Sequence, residues 1–381
     1  MIIGINGNEA NVTQRVGSNQ YAFQLLKQLK IFKKPQFVVY LKKPPVSDMP
    51  KESSNWRYQV FGPGRLWTQL ALPLKLWHDR NKLDVFFTPG HYGPRFCPVP
   101  SVVCILDLAF LKYPQSFRPQ DLTQLKSWTK YSVKQAQKII AISQATKKDI
   151  VSHYGAAQTK IKVIYPGLIE LKKGEDTTVK VLKKYRFKPP YLLYIGTLQP
   201  RKNLTRLIQA FASIPPNLST CGRSPGGRQI SKSLVIVGKK GWMYKSIFDQ
   251  VKQLKLEKQV IFTGYLSDQE LVWVCRQAEV LINPSLYEGF GFPVLGAMAQ
   301  GTLVLVSRSS SLPEIVGQAG LYIDQPDSVE SIKKGIIKAL SLSSGQKASL
   351  IKQAKQRAKT FTWQKTAKQT LEILTETGGK K

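Results

Sequence analysis

Acidic residues are scarce in this 381-residue chain: 23 Asp and Glu stand against 57 Lys and Arg, a formal net charge of +34 at pH 7. A chain this basic seeks polyanions, whether nucleic acid, an anionic membrane face or phosphorylated ligands. The basic residues are dispersed along both halves, and no nucleic-acid motif or aromatic-interleaved basic ribbon appears, so a specific nucleic-acid partner is not expected. Histidine is rarer still. His78, His91 and His153 form no His-Glu-x-x-His pattern, and no Asp-x-Asp pair exists to hold a divalent cation on a diphosphate, so metal-dependent chemistry is not expected. The four cysteines (Cys97, Cys104, Cys221, Cys275) lack Cys-x-x-Cys or zinc-ligand spacing and read as reduced and structural. No run approaches the ~18–20 apolar residues that span a bilayer. The opening 1-MIIGINGNEA-10 reads as a first strand rather than a leader, and a cytoplasmic enzyme is the expectation. No Gly-x-Gly-x-x-Gly follows that strand, which excludes a nicotinamide-binding fingerprint.

The chain does contain short apolar runs rich in Ile and Val. They fall at 2–5, 37–41, 84–88, 101–106 and 139–143, and again at 191–196, 234–238, 260–264, 280–284 and 303–306, with helical patterns between. Buried parallel strands alternating with helices imply βαβ units, and a chain of this length exceeds the ~250–300 residues at which single cores stop growing. Two consecutive α/β domains are expected, 1–180 and 181–360, joined near the charged stretch 170–190. The segment 215-PPNLSTCGRSPGGRQISK-232 has no periodicity and reads as a surface insertion. The final helical stretch breaks at 360-TFTW-363, and its second piece, about 361–378, is expected to pack back on the first domain.

Three segments combine at strand ends. In 284-PSLYEGFGFPVLGAM-298, Glu288 lies between an apolar strand and a helix opening at Pro293, followed at once by Gly289, Phe290 and Gly291. In 191-YLLYIGTLQPRKNLTRLIQAF-211 a strand ends at Gly196, and a turn carries Arg201 and Lys202 into a helix N-terminus, a combination suited to a diphosphate. In 234-LVIVGKKGW-242 and 260-VIFTGYLSD-268 two further strands end at Gly238 and Gly264, beside Lys239 and Tyr265, where backbone can approach a flat nucleobase. Taken singly, each segment reads equally well as an ordinary solvated loop or basic helix start.

Together, in order and spacing, these blocks and 311-SLPEIVG-317 resemble the donor-binding domain of glycosyltransferase family 4, the group 1 retaining glycosyltransferases. The first half resembles the same family at 15-RVGSNQYAFQLL-26, 101-SVVCILDLAFLKYP-114, 140-IAISQATKKDI-150 and 162-KVIYPG-167. The resemblance implies the GT-B architecture, two Rossmann-like domains with parallel sheets facing across a cleft, the first taking the acceptor and the second a nucleotide-diphospho-sugar. It assigns Arg201 and Lys202 to the donor diphosphate, Glu288 to the donor sugar as first Glu of a Glu-x7-Glu signature, and Gly289, Phe290 and Gly291 to backbone N–H contacts. Gly17 would approach the reacting centre from the first domain, with Arg15, His91 and Asp107 on the acceptor side.

Two positions depart from the family pattern. Gly296 stands where the second signature Glu would hold the ribose hydroxyls, and Leu106 stands where a His commonly precedes Asp107. A weakly active or inactive relative is therefore an alternative reading. The retained residues suit a metal-free transfer, with cations and N–H dipoles aimed at the charge developing on the leaving diphosphate. The glycine-lysine block is similar to mannosyl- and rhamnosyl-type members, which favours GDP-mannose as donor and a glycan or lipid-linked acceptor in envelope polysaccharide synthesis.

The positive charge has one periodic feature. Lys126, Lys130, Lys134 and Lys138 recur every four residues, a helical stripe that reads either as a solvated face or as a patch for an anionic membrane. The segment 66-LWTQLALPLKLWHD-79 reads as core through Trp67 and Trp77, or as an apolar adjunct to peripheral association with the inner membrane face.

Overall fold

The computed structural model describes residues 1–64, 66–90, 92–170, 185, 187–215 and 233–379. The inter-domain stretch is thus mostly outside the described residues, as is the 215–232 insertion beyond Pro215. The chain divides into two compact units. One comprises Met1–Pro114, Pro119–Gly167 and Phe361–Lys381; the other comprises Gln115–Arg118 and Leu168–Thr360.

The first unit holds strands β1 (Ile2–Asn6), β2 (Gln36–Leu41), β3 (Trp56–Val60), β4 (Val85–Thr88), β5 (Ser101–Ile105), β6 (Lys138–Ala141) and β7 (Ile161–Val163). They form one parallel sheet in the order β3-β2-β1-β4-β5-β6-β7. The second unit holds β8 (Tyr191–Ile195), β9 (Leu234–Val237), β10 (Val260–Gly264), β11 (Ala278–Asn283), β12 (Val304–Ser307) and β13 (Leu321–Ile323), parallel in the order β10-β9-β8-β11-β12-β13. Both orders reverse direction once. The reversal falls between β1 and β4 in one sheet and between β8 and β11 in the other, the doubly wound pattern whose ligands bind at the reversal.

Every residue of β4, β9 and β12 is buried, which explains why these strands read as unbroken apolar runs. The ten strands expected from sequence are present, and three more were not anticipated. Among the described residues β3, β7 and β13 lie at sheet edges; polar residues such as Arg57 and Lys162 break the apolar signal of β3 and β7, and β13 is only three residues long.

The last helix, Trp363–Gly378, packs in the first unit. Its Trp363 ring lies 5.8 Å from that of Tyr21, and its Thr366 hydroxyl donates to the Tyr165 carbonyl at 2.8 Å. Gly167 admits the crossing, since a Cβ there would sit 2.2 Å from the Trp363 nitrogen.

One periodicity reading needs correction. The lysine helix is Pro119–Gln135, so Lys126, Lys130 and Lys134 share an exposed helical stripe while Lys138 opens β6. Lys138 is paired instead with Glu376 at 3.2 Å. Pairing of β6 with β5 ends the helix before the fourth turn of the pattern, a tertiary demand that sequence spacing does not reveal. Among the described residues, no helix is long and apolar enough to cross a membrane.

Candidate functional site

The second sheet reverses between β8 and β11, and the loops leaving these two neighbouring strands carry Arg201, Lys202 and Glu288. After β8 a short 3-10 turn, Pro200–Lys202, is closed by Asn203 in the left-handed region (φ 62°). Asn203 secures the turn to the other loop, its amide donating to the Pro284 carbonyl at 3.0 Å, while the Leu286 N–H donates to the Arg201 carbonyl at 3.0 Å. These bonds hold the two cations against the carboxylate.

Glu288 Oε1 accepts from the Lys202 ammonium at 2.5 Å and from the Ser285 hydroxyl at 2.9 Å. Glu288 Oε2 lies 3.7 Å from Arg201 Nη1, which also donates to the Tyr287 carbonyl at 2.8 Å. All three ionic side chains are nearly buried, at 9, 11 and 13% exposure for Glu288, Lys202 and Arg201. Burial works to raise the Glu288 carboxyl. The charges of Lys202 and Arg201, with hydrogen bonds from Lys202 and Ser285, outweigh it and hold the group below the usual carboxylate range.

The backbone of the acidic loop is fixed by serines. The Glu288 N–H donates to Ser310 Oγ at 2.8 Å, and the Ser311 hydroxyl lies 2.9 and 2.8 Å from the carbonyls of Glu288 and Phe290. Gly289, Phe290 and Gly291 are buried behind it, and Gly291 (φ 117°) caps the helix Phe292–Gln300, with Pro293 at its second position. That helix directs N–H groups towards the loop carrying Glu288.

The neighbouring strand ends bring the other candidate donor residues to the same edge. The Gly196 N–H donates to the Val237 carbonyl and the Gly238 N–H to the Gly264 carbonyl, each at 2.9 Å. Gly238 (φ 148°) has no alternative there, because a Cβ would fall 1.9 Å from the Gly196 oxygen. The Lys239 carbonyl accepts from Leu198 N–H at 3.0 Å, and Tyr265 is exposed just past Gly264.

The first-unit candidates are placed separately. Gly17 (φ 52°) precedes the helix Ser18–Leu29. Arg15 forms a two-pronged pair with Asp48, at 2.5 and 2.8 Å, and stacks 3.6 Å over Phe23. Asp107, at the carboxyl end of β5, accepts from the Ala109 N–H at 3.1 Å, beside the buried Leu106. His91 and Cys221 lie outside the described residues.

Sequence reading missed the supporting groups. Ser285, Ser310 and Ser311 were unassigned, although the serine run 309–311 between β12 and the helix Leu312–Val316 was a visible signal. Tyr194 had none. Its hydroxyl is fully buried without a hydrogen-bond partner among the described residues, and burial first, then the Glu288 charge, push it well above the ordinary tyrosine range.

The family model described as glycosyl transferases group 1 matches residues 180–357, and that described as Glycosyltransferase Family 4 matches residues 17–169. The O-antigen chain mannosyltransferase B of Escherichia coli is 27% identical over 376 residues, covering 93% of this chain and 94% of that protein. Among solved structures, sucrose-phosphate synthase from Thermosynechococcus elongatus superposes with a TM-score of 0.74 at 20% identity, covering 98% of both chains. Anabaena Alr3699/HepE, in complex with UDP and glucose, superposes at 0.70 and 19% identity, covering 98% of this chain and 99% of that one. With both halves matched in order and both sheets of the expected topology, the chain belongs to the group 1 glycosyltransferases of family 4 and has the GT-B fold.

Proposed function

We propose that this glycosyltransferase moves mannose from GDP-mannose to a glycan or lipid-linked acceptor with retention at the anomeric carbon and without a metal. The family uses nucleotide-sugar donors. The choice of mannose rests on the full-length likeness to a mannosyltransferase of O-antigen chains, which also favours envelope polysaccharide synthesis on the cytoplasmic side. The second unit takes the donor and the first the acceptor, with Gly17, Arg15, His91 and Asp107 on the acceptor side.

The observation that carries the reading is the cluster at the second sheet's reversal, where Lys202 and Arg201 lie 2.5 and 3.7 Å from Glu288. Breaking the bond from sugar to diphosphate builds positive charge on the anomeric carbon and negative charge on the leaving phosphate oxygens. Lys202, Arg201 and the N–H groups opening the helix Phe292–Gln300 stabilise the departing diphosphate. Glu288 orients the sugar and favours the cationic carbon, and the leaving phosphate oxygen takes the acceptor proton as the new bond forms on the same face. Because the cluster is already held by Ser285, Asn203 and Ser310, little reorganisation accompanies the developing charge.

Gly196, Gly238, Lys239, Gly264 and Tyr265 border the nucleotide. The same edge suits another base, and the UDP complex of the Anabaena structure makes UDP-glucose the competitor to test. Radiolabelled GDP-mannose and UDP-glucose, each supplied with lipid-linked glycan acceptors in the presence of a chelator, separate the two. Label from GDP-mannose entering an α-linked product supports the reading. Transfer from UDP-glucose alone overturns the donor, and transfer abolished by the chelator overturns the metal-free mechanism.

A further inference from the structure

Tyr194 carries a hydroxyl that the packing of the second unit does not account for. It lies near the carboxyl end of β8, the strand paired with β11, whose following loop bears Glu288. Its ring belongs to an apolar core with Leu192, Leu204, Leu207 and Ile236, where a phenylalanine would pack as well. The ring reaches towards the strand end, since a Cβ on Gly196 would meet the Tyr194 hydroxyl at 2.7 Å. There the hydroxyl is buried and, among the described residues, finds no hydrogen-bond partner. An unpaired buried hydroxyl is destabilising, so its presence calls for a reason.

The charged groups that act on this hydroxyl are those of the cluster. Burial and then the Glu288 charge raise it, against the opposing charge of Arg201, so the phenol stays protonated and able to donate. The Glu288 carboxylate is unevenly supplied. Its Oε1 takes the Lys202 ammonium at 2.5 Å, the Ser285 hydroxyl at 2.9 Å and the Asn283 amide at 3.5 Å. Oε2 faces the Arg201 guanidinium at 3.7 Å, beyond hydrogen-bonding distance. Lys202 makes the shortest of these contacts, and it is also the group that the proposed transfer assigns to the donor diphosphate. An ammonium turned towards phosphate leaves a buried carboxylate short of its partner, which is costly. A neutral donor relieves that cost without adding positive charge beside the anomeric carbon, where positive charge develops.

We infer that Tyr194 is a positioning residue for Glu288, its hydroxyl donating to the carboxylate when a donor diphosphate draws the Lys202 ammonium away. This rests on the proposed assignment of Lys202 to the diphosphate. In the unliganded protein Lys202 holds Glu288, and the Tyr194 hydroxyl is idle. With diphosphate bound the two exchange, and Glu288 keeps both its orientation and its full charge for the sugar.

Tyr194→Phe and Lys202→Ala, alone and together in the full chain, test the exchange. In the wild-type background Tyr194→Phe is expected to leave the melting temperature unchanged or to raise it, because it removes an unpaired buried hydroxyl. In Lys202→Ala the carboxylate has already lost its ammonium and engages the hydroxyl, so Tyr194→Phe should there lower the melting temperature by a few degrees. That reversal of sign needs neither donor nor acceptor, so it is read independently of the transfer reaction. By calorimetry, Tyr194→Phe should weaken the binding of GDP or UDP, whichever the protein takes, about tenfold, the scale of one hydrogen bond to a charged group. Affinity for the matching nucleoside, which has no phosphate to draw Lys202 away, should be unaltered. The inference is overturned if Tyr194→Phe changes the melting temperature alike in both backgrounds, as it would for a hydroxyl satisfied by a buried water. It is equally overturned if nucleoside and diphosphate lose affinity together. If Lys202→Ala leaves diphosphate affinity unchanged, the assignment of Lys202 fails and the exchange with it. A loss in Lys202→Ala with none in Tyr194→Phe overturns the exchange alone.

Discussion

The two sheets share one order over six strands, the first adding β7 at its edge, yet the loops at their reversals differ in kind. In the second unit three ionic side chains from two loops meet in a buried cluster, with serine, asparagine and backbone groups fixing each member. In the first unit, among the described candidates, Arg15 pairs with Asp48, Asp107 accepts from the Ala109 N–H, and Gly17 precedes a helix. The same topology thus carries a buried cluster of three ionic side chains in one unit and a different set of side chains in the other. Fold sets where a ligand binds, and particular side chains set what is done to it.

The comparison breaks most sharply at Lys202. Lys202→Ala or Glu288→Ala is expected to lower turnover at least about 100-fold, the scale for losing one oriented charge-stabilising group. Each also leaves a buried charge short of its partner, at a cost of about 3 kcal/mol in stability. Lys202→Met/Glu288→Leu should recover most of that stability in urea titrations yet stay inactive, separating packing from chemistry. Near-wild-type turnover in either single variant would remove the second unit's cluster from the reaction.

Gly238→Ala should cost about 3 kcal/mol, because the new methyl group must displace the Gly196 carbonyl, and nucleotide binding should fall with it. Gly296→Glu sharpens the comparison in the opposite direction. Apart from its chain neighbours and its own helix backbone, nothing lies within 4 Å of a Cβ at that position, so the first carbon of the new side chain meets open space, and a carboxylate able to hold ribose hydroxyls should tighten GDP binding about tenfold by calorimetry. Arg15→Ala should change stability by about 1 kcal/mol, since its partner Asp48 is half-exposed, and leave donor affinity unaltered. A rise in acceptor KM larger than the stability loss would show that the first unit also holds a working charge.

The smallest effect is in pH. Because the Glu288 carboxyl is held below its unfolded value of about 4.3, its contribution to stability is complete above that pH and is lost as pH falls through the depressed folded value. The stability gap between wild type and Glu288→Gln should therefore be constant near neutrality and narrow only in acid. A gap that changes between pH 6 and 8 would place another titrating group in the cluster.

Much of this was legible in the residues. Strands such as 234–237 and 304–307 are buried on both sheet faces and so are written as continuous apolar runs. Arg201, Lys202 and Glu288 could be picked out because charge at the end of such a run is chemically expensive unless it has a use. The edge strands Trp56–Val60 and Ile161–Val163 were not legible, since half-solvated strands carry no comparable pattern, and Leu321–Ile323 was missed because three residues make too short a run. Lys138 was misplaced because pairing with a neighbouring strand overrode a helical period.

The sequence by itself determined the family, the parallel α/β layers and the identity of the ionic residues, all properties written in local pattern and in the order of motifs. Only the tertiary structure decided that Lys202 and Glu288, 86 residues apart, share a hydrogen bond, that serines anchor the acidic loop, and that Trp77 faces outwards while Trp67 is buried. Contacts between distant segments depend on how strands are ordered in a sheet and which helix face meets it, and neither is encoded in the spacing of any single stretch.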